Sequence, residues 1–228
     1  MIIKNWEQLP ENLRKDEVHI YYERLRKKSF SLILKRLFDI IMSLILILIL
    51  SPVLIIISIK IKREDGGSVF YRQVRVTQYG KEFKIFKFRT MVEGADKIGS
   101  LVTRDEDVRI TRVGRNLRKY RLDELPQLFN ILIGDMTFVG TRPEVPKYVE
   151  KYTDEMMATL LLPAGVTSEA SIMFKDEDKF ISKEIDADKV YVEEILPKKM
   201  EYNLNQLKNF SIANEILLLL KTVKAVSR

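Results

Sequence analysis

The chain has 228 residues and a formal net charge of +7, enough length for one domain plus an anchor. It has no cysteine and a single histidine, His19. Disulfides and thiolate chemistry are therefore excluded, and a Ser-His-Asp triad or a histidine-rich metal site is disfavoured. A metal here falls to carboxylates, which suits Mg²⁺ or Mn²⁺.

Met1 to Ser29 is polar and charged, with Trp6, Tyr21, Tyr22 and Leu25 scattered through it. Asp16 to Lys28 predicts a helix with a solvated surface. Phe30 to Lys60 reads as a membrane anchor, whose stretch Ile40 to Ile59 carries no charge. A run of about 20 apolar residues can span a hydrocarbon core. It starts too deep in the chain, and lacks a small-residue cleavage site, for a signal peptide. Both flanks are basic, however: Lys27, Lys28, Lys35 and Arg36 precede the run, and Lys60, Lys62 and Arg63 follow it. Lys and Arg prefer the cytoplasmic side, so a simple span puts one cluster on the wrong side. Ser51-Pro52 interrupts the run. Pro52 lacks the N–H that would reach the Leu48 carbonyl, and its ring crowds that carbonyl. A bend there lets the segment enter and leave on one face, with the Ser51 hydroxyl a local partner for the freed backbone. A kinked spanning anchor fits the segment as well.

Beyond Gly66-Gly67, Ser68 to Val76 and Glu82 to Phe88 predict two strands. Thr77-Gln78-Tyr79-Gly80 between them predicts a hairpin turn. Glu93 to Thr103 reads as helix or loop. Val113 to Arg121 predicts a short basic helix. Leu125 to Ile133 predicts a stronger one, with Pro126 in its first turn, Asp123 and Glu124 on its N-terminal side, and Gly134 at its end. Further helices are expected over Val145 to Leu162, Asp186 to Gln206 and Ser211 to Val226. In the last, Ile212, Ile216, Leu217, Leu220 and Val223 recur at helical spacing, as a core-packing face does.

Between Lys60 and Arg121 there are 17 Lys or Arg against 8 Asp or Glu, a local excess of +9 that leaves about −2 elsewhere. Such a segment beside a membrane element can bind anionic headgroups, phosphorylated substrates or nucleic acid. Lys87-Phe88-Arg89-Thr90-Met91, Arg109 to Gly114, Leu122 to Gln127, Gly134-Asp135-Met136 and Val139 to Glu144 alternate cations with one adjacent acid pair. A pyrophosphate site needs that combination. Arg and Lys donate to phosphate oxygens. A carboxylate holds a divalent cation, and a carboxylate can also attack phosphorus. Asp123 at a helix start is expected to be favoured in its ionised form by the helix dipole. Singly, an acid pair at a helix start is a cap and clustered cations are a solvated face. Their meaning lies in occurring together after a membrane element.

At these residues the chain closely resembles the monotopic phosphoglycosyl transferases, the bacterial sugar transferases that start glycan assembly on undecaprenyl phosphate. The resemblance runs from about Lys35 to Val226. It rests on KRLFDI at Lys35 to Ile40, Ser51-Pro52, KFRTM at Lys87 to Met91, RITRVG at Arg109 to Gly114, LDELPQL at Leu122 to Leu128, GDM at Gly134 to Met136 and RPE at Arg142 to Glu144. It implies that Asp123 is both nucleophile and Mg²⁺ ligand, with Glu124 its dyad partner. Lys87, Arg89, Arg109, Arg142, Pro143, Glu144 and Asp188 are implied to bind substrate, and Ser51 and Pro52 to form the membrane bend. It implies transfer of a sugar-1-phosphate from a UDP-sugar to undecaprenyl phosphate, with UMP released through an aspartyl sugar-phosphate.

The expected fold is α+β and mostly helical. A polar helix over residues 1–29 precedes a re-entrant helix-break-helix over 30–62. A compact cytosolic catalytic domain over 63–228 follows, with a short β-hairpin and interfacial amphipathic helices. The expected location is the cytoplasmic face of the bacterial inner membrane. Membrane lipid is the expected surface and nucleic acid is not a partner; a homodimer is left open. The short stretch before the resemblance suggests a compact, stand-alone form. Three departures stand out. Thr141 replaces a proline common in the family, Arg121 replaces a serine before the dyad, and Ser168 to Lys175 replaces an Asn-Gly-Arg loop. The last leaves sugar identity open. The competing class is a non-catalytic anchored protein that binds anionic lipid or nucleic acid through its basic face. Such a platform has no use for Asp123-Glu124, which repel phosphate.

Overall fold

A computed structural model of the chain describes residues 3–95, 107–175 and 187–226. Two short 3-10 turns, Trp6–Gln8 and Glu11–Leu13, lead into helix α1, Asp16–Arg26. Asp16 and Glu17 begin α1 and Arg24 and Arg26 end it, which complements the helix dipole at both ends. Its expected solvated surface needs correction, since Val18, Tyr21, Tyr22 and Leu25 are buried. They stand at i, i+3, i+4 and i+7, one face of the helix. With Leu9 and Leu13 they pack on Ala158, Leu160, Leu161, Leu204, Leu207 and Phe210. The many charges on the other faces dilute that stripe in the sequence. His19 stays exposed, edge-on to Trp6.

Helix α2, Ser29–Asp65, is 37 residues long and passes Pro52 without interruption, where the sequence leads one to expect a break. The Ser51 hydroxyl donates to the Leu48 carbonyl at 2.9 Å, the acceptor that Pro52 leaves empty. Gly66, in the left-handed region at φ 74°, ends the helix. One stripe of α2 faces the protein along its whole length: Leu32, Lys35, Asp39, Ser43, Leu54, Ile57 and Ile61 are buried. Leu46, Ile47 and Leu50 continue it, partly covered. The opposite side is apolar and bare, with Phe30, Leu48 and Ile49 each about two-thirds exposed or more. Among the described residues, α2 is the one helix long and apolar enough to cross a membrane.

Strands β1, Phe70–Val76, and β2, Glu82–Phe88, form the expected antiparallel hairpin. The register sets Tyr71 opposite Lys87 and Arg75 opposite Phe83. Its turn, Gln78–Gly80, carries Tyr79 at φ 60°. Most of the Glu93 to Thr103 segment lies outside the described residues. Helix α3, Arg112–Lys119, is capped by Thr111. It lies so close to Thr90 that a Cβ on Gly114 would stand 2.0 Å from the Thr90 carbonyl oxygen. Helix α4, Gln127–Ile133, ends on Gly134, as expected, but starts two residues late, with Pro126 at its N-cap rather than in its first turn.

The sequence did not suggest a second, parallel sheet. It pairs β3, Met136–Val139, with β4, Ala164–Thr167. The two backbones touch at Gly140 and Gly165, where a Cβ on Gly165 would meet Gly140 at 2.2 Å. Between them the expected Val145 to Leu162 helix is two pieces, α5, Pro146–Val149, and a 3-10 turn, Met156–Leu161. Thr153 interrupts: its hydroxyl takes the Met156 N–H, a local side-chain alternative to the helical ladder. Helix α6 is Glu169–Met173.

The expected Asp186 to Gln206 helix begins, among the described residues, as α7, Ala187–Val190. It widens into a π-turn at Tyr191–Ile195 and continues as α8, Leu196–Lys208. Pro197, at the start of α8, lacks the N–H that regular winding would use. Helix α9, Ile212–Val226, inverts expectation. Ile216, Leu217, Leu220 and Val223 are about half or more exposed. Glu215 and Thr222 turn inward instead, to Lys35 and to Thr167.

Candidate active site

A cavity of about 760 Å³ opens between the β-hairpin, α3, the turn before α4, the loop after β3 and the C-terminal helices. Lys87, Arg89, Arg109, Asp123, Glu124, Arg142, Pro143 and Glu144 all contribute to its wall. These come from four stretches of sequence and meet here.

Asp123 and Glu124 lie in a single 3-10 turn, Leu122–Glu124. Arg121 enters that turn at φ 53°, a left-handed conformation that costs a non-glycine residue about 1–3 kcal/mol. Lys87 reaches in from β2 and donates to the Glu124 carboxylate at 2.8 Å. Arg142 arrives from the loop after β3 with both terminal nitrogens on Glu124, Nη1 at 3.2 Å and Nη2 closer. The Gly140–Gly165 contact aims that loop, and Thr141, where a proline was expected, accepts from the Gly165 N–H at 2.8 Å. Burial opposes ionisation of Glu124, but the Arg142 and Lys87 charges and hydrogen bonds outweigh it. They hold the carboxyl well below its ordinary value.

The Asp123 carboxylate makes no hydrogen bond or ion pair with another described side chain. Burial pushes it above the ordinary carboxylate value, against the pull of Lys87 and, farther off, Arg118. This corrects the expectation that the helix dipole rules its charge, because loss of water is the larger effect. The two neighbours thus differ in kind. Glu124 is saturated and pins two cations, whereas Asp123 keeps its oxygens for whatever enters the cavity.

Arg89 is committed elsewhere. It clasps Asp65 bidentately at 2.5 and 2.6 Å and donates to the Ser68 carbonyl. That clasp ties the end of α2 to the end of β2, and its hydrogen bonds lower Asp65 to about 2. Arg109 is forked onto Asp107. Glu144 is buried and accepts from the Tyr191 hydroxyl, with Lys199 at 3.6 Å. Asp188 is not part of the cavity wall. It pairs with Lys147 at 2.7 Å and with the hydroxyl of Tyr148, which is part of that wall.

Four further wall residues are Arg75, Arg118, Tyr191 and Lys199. Arg118 donates to the Thr90 hydroxyl at 2.9 Å. Arg75 carried a signal in the sequence: the hairpin register sets Tyr71 opposite Lys87, and strand alternation then sets Gln73 and Arg75 on the same face. Tyr191 and Lys199 carried none, since the π-turn and α8 deliver them from far downstream in the chain. No cluster of three or more acidic, histidine or cysteine side chains able to hold a metal exists among the described residues. Of the dyad, Asp123 is the acid whose carboxylate would be open to a divalent ion.

A model of the bacterial sugar transferase family matches residues 30–228. The chain belongs to that family. Among similar sugar transferases is a UDP-N-acetylgalactosamine-undecaprenyl-phosphate N-acetylgalactosaminephosphotransferase of Aeromonas hydrophila. It is 33% identical over 172 residues, which cover 74% of this chain and 38% of that one. A UDP-glucose:undecaprenyl-phosphate glucose-1-phosphate transferase of Klebsiella pneumoniae is 34% identical over 199 residues, 85% of this chain and 40% of that one. The chain thus spans about two fifths of the length of these two relatives. The exopolysaccharide production protein ExoY of Rhizobium meliloti is 32% identical over 186 residues, 75% of each chain. The match begins at residue 30, so α1 and the turns before it lie outside it, although they fill the apolar cluster beneath α8.

Proposed function

We propose that this sugar transferase moves a sugar-1-phosphate from a UDP-sugar to undecaprenyl phosphate and releases UMP, the first membrane step of a bacterial surface glycan. The observation that carries the reading is the contrast within the dyad. Glu124 binds Lys87 and Arg142, and Asp123 faces the cavity unpaired beside them. Lys87 and Arg142 orient the pyrophosphate. A carboxylate oxygen of Asp123 attacks the phosphorus that bears the sugar, and UMP departs with the bridging oxygen. The covalent sugar-phosphate on Asp123 then passes to the acceptor phosphate, so a soluble donor and a membrane-bound acceptor use one site in turn. Mg²⁺ bound at Asp123 would neutralise phosphate charge.

Helix α2 is read as re-entrant at Ser51-Pro52, with both ends on the cytoplasmic face of the inner membrane. Its flanks are basic at both ends, and its protein-facing stripe runs from Leu32 to Ile61. The same body therefore lies against both halves of the helix, as suits entry and exit on one side. The outward leucines of α9 extend the apolar surface beside it and suit contact with lipid.

Intact-protein mass spectrometry tests the chemistry. Mixing with a UDP-sugar and Mg²⁺, without acceptor, is expected to add one sugar-phosphate to wild type and nothing to Asp123→Asn. Turnover with no adduct, together with intersecting double-reciprocal plots, would show direct transfer in a ternary complex.

A further inference from the structure

Arg75 is a cation of the cavity wall whose hydrogen bonds, among the described residues, go to neutral groups. It projects from β1 on the Lys87 face and gives Nη1 to the Pro143 carbonyl at 3.1 Å and Nη2 to the Gln73 side chain at 2.7 Å. Its buried Nε has no partner. No described carboxylate stands within ion-pair reach of it. Glu144, the nearest acid to act on it, is taken by Tyr191 and Lys199. Burial also works against its charge. A desolvated guanidinium without an anion is costly. A site that keeps one is arranged for an anion that arrives.

The position says which anion. Lys87 and Arg142 flank Asp123 through Glu124, so they attend the phosphorus under attack. Arg75 is bonded to the residue after Arg142 and makes no hydrogen bond to the dyad, and the hairpin register sets it four residues along β1 from Tyr71, the partner of Lys87. It therefore lines the same cavity at a distance from the Lys87 that reaches the dyad. A diphosphate with one phosphorus at Asp123 places its second phosphate there.

We propose that Arg75 holds the phosphate that is not attacked: the leaving nucleoside monophosphate in the first half-reaction, and the entering polyprenyl phosphate in the second. The proposal rests on the transferase reading above. In the first step an Asp123 oxygen bonds to the sugar-bearing phosphorus and the bond to the bridging oxygen breaks. The electron pair stays on that oxygen, no proton moves, and the second phosphate gains one negative charge beside Arg75. In the second step an acceptor phosphate oxygen bonds to the same phosphorus and the Asp123 bond breaks, which returns the carboxylate.

The test uses full-length protein and UMP as the probe. Arg75→Gln is expected to bind UMP about tenfold to 150-fold more weakly, as loss of a charge-assisted contact implies. It should also slow both half-reactions, adduct formation from UDP-sugar and adduct loss to a short polyprenyl phosphate, at least about tenfold. Arg75→Lys should fall between, at least about threefold weaker for UMP, because a point charge cannot reproduce a fork. A folded variant of either kind, with wild-type melting temperature and wild-type UMP affinity, overturns the role of Arg75. If Arg75→Gln does not fold, Arg75→Lys decides by the same criterion. Wild-type protein that forms no adduct and binds no UMP overturns the transferase reading itself, which is a separate outcome.

Discussion

Two regions of this molecule bury charge, and they treat it in opposite ways. Beneath α2 the charges of Lys35, Arg36 and Asp39 all have hydrogen-bond partners. Lys35 donates to the Val139 carbonyl at 2.8 Å and to Glu215 at 2.5 Å. Asp39 accepts from the Thr137 hydroxyl at 2.6 Å and the Phe138 N–H at 3.2 Å. Arg36 donates to the Ile131 and Leu132 carbonyls at the end of α4. In the cavity, the Asp123 carboxylate has no described side-chain partner and the buried Nε of Arg75 has no acceptor. Desolvation is unfavourable in both places. Where the partners are built in, buried charge fastens one element to another. Where they are left out, it awaits a ligand.

The largest expected effect that sharpens this contrast is at Asp123. Asp123→Asn is expected to reduce UMP release from UDP-sugar by on the order of 10³-fold or more, as loss of a nucleophile does. It should also raise the melting temperature at pH 7. The sign follows from burial. The folded carboxyl titrates above its unfolded value, so its ionised form destabilises the fold at any pH above both values. Below about pH 3.9, the ordinary aspartate value, both states are protonated and the gain should vanish. A variant that loses activity and melts lower at pH 7 would place Asp123 with the structural charges.

Asp39 is the complementary case. Asp39→Ala strands the Thr137 hydroxyl and the Phe138 N–H in a buried position. It is expected to cost about 1–3 kcal/mol of stability for each group left unsatisfied, read by denaturant unfolding in detergent, with UMP affinity of the folded fraction unchanged. Weaker UMP binding at unchanged stability would break the division between the two regions.

The smallest expected effect is a shift in pH dependence. The Lys87 charge draws the raised Asp123 carboxyl back down. In Lys87→Met that pull is gone, so Asp123 should titrate higher and the acidic limb of kcat/KM should move to higher pH. An acidic limb that stays in place would mean that another group sets it.

Much of the site was legible because its chemistry is local in sequence. Asp123-Glu124 before Pro126, and Gly140 before Arg142, are short patterns whose turns follow from proline, glycine and acid at a helix start. The hairpin was legible from its alternation and turn. The failures share a cause. The stripe on α9 was visible as spacing and is exposed, whereas that on α1 read as scattered residues on a solvated helix and is buried. Periodicity says which residues share a face; it does not say whether protein, water or lipid covers that face.

By itself the sequence determined the apolar run with basic ends, the hairpin, the acid pair among cations and the absence of thiol chemistry. Each follows from side-chain type and spacing within a few turns of chain. Only the tertiary structure decided that Glu124 rather than Asp123 takes Lys87 and Arg142, that Arg89 clasps Asp65, and that Lys35 meets Glu215, 180 residues away. It also decided that Ser51 relieves Leu48, so that α2 runs through Pro52. Charge pairing depends on distance in space and on how much water is excluded. Both are set by packing between elements far apart in the chain, and neither is written in the order of the residues.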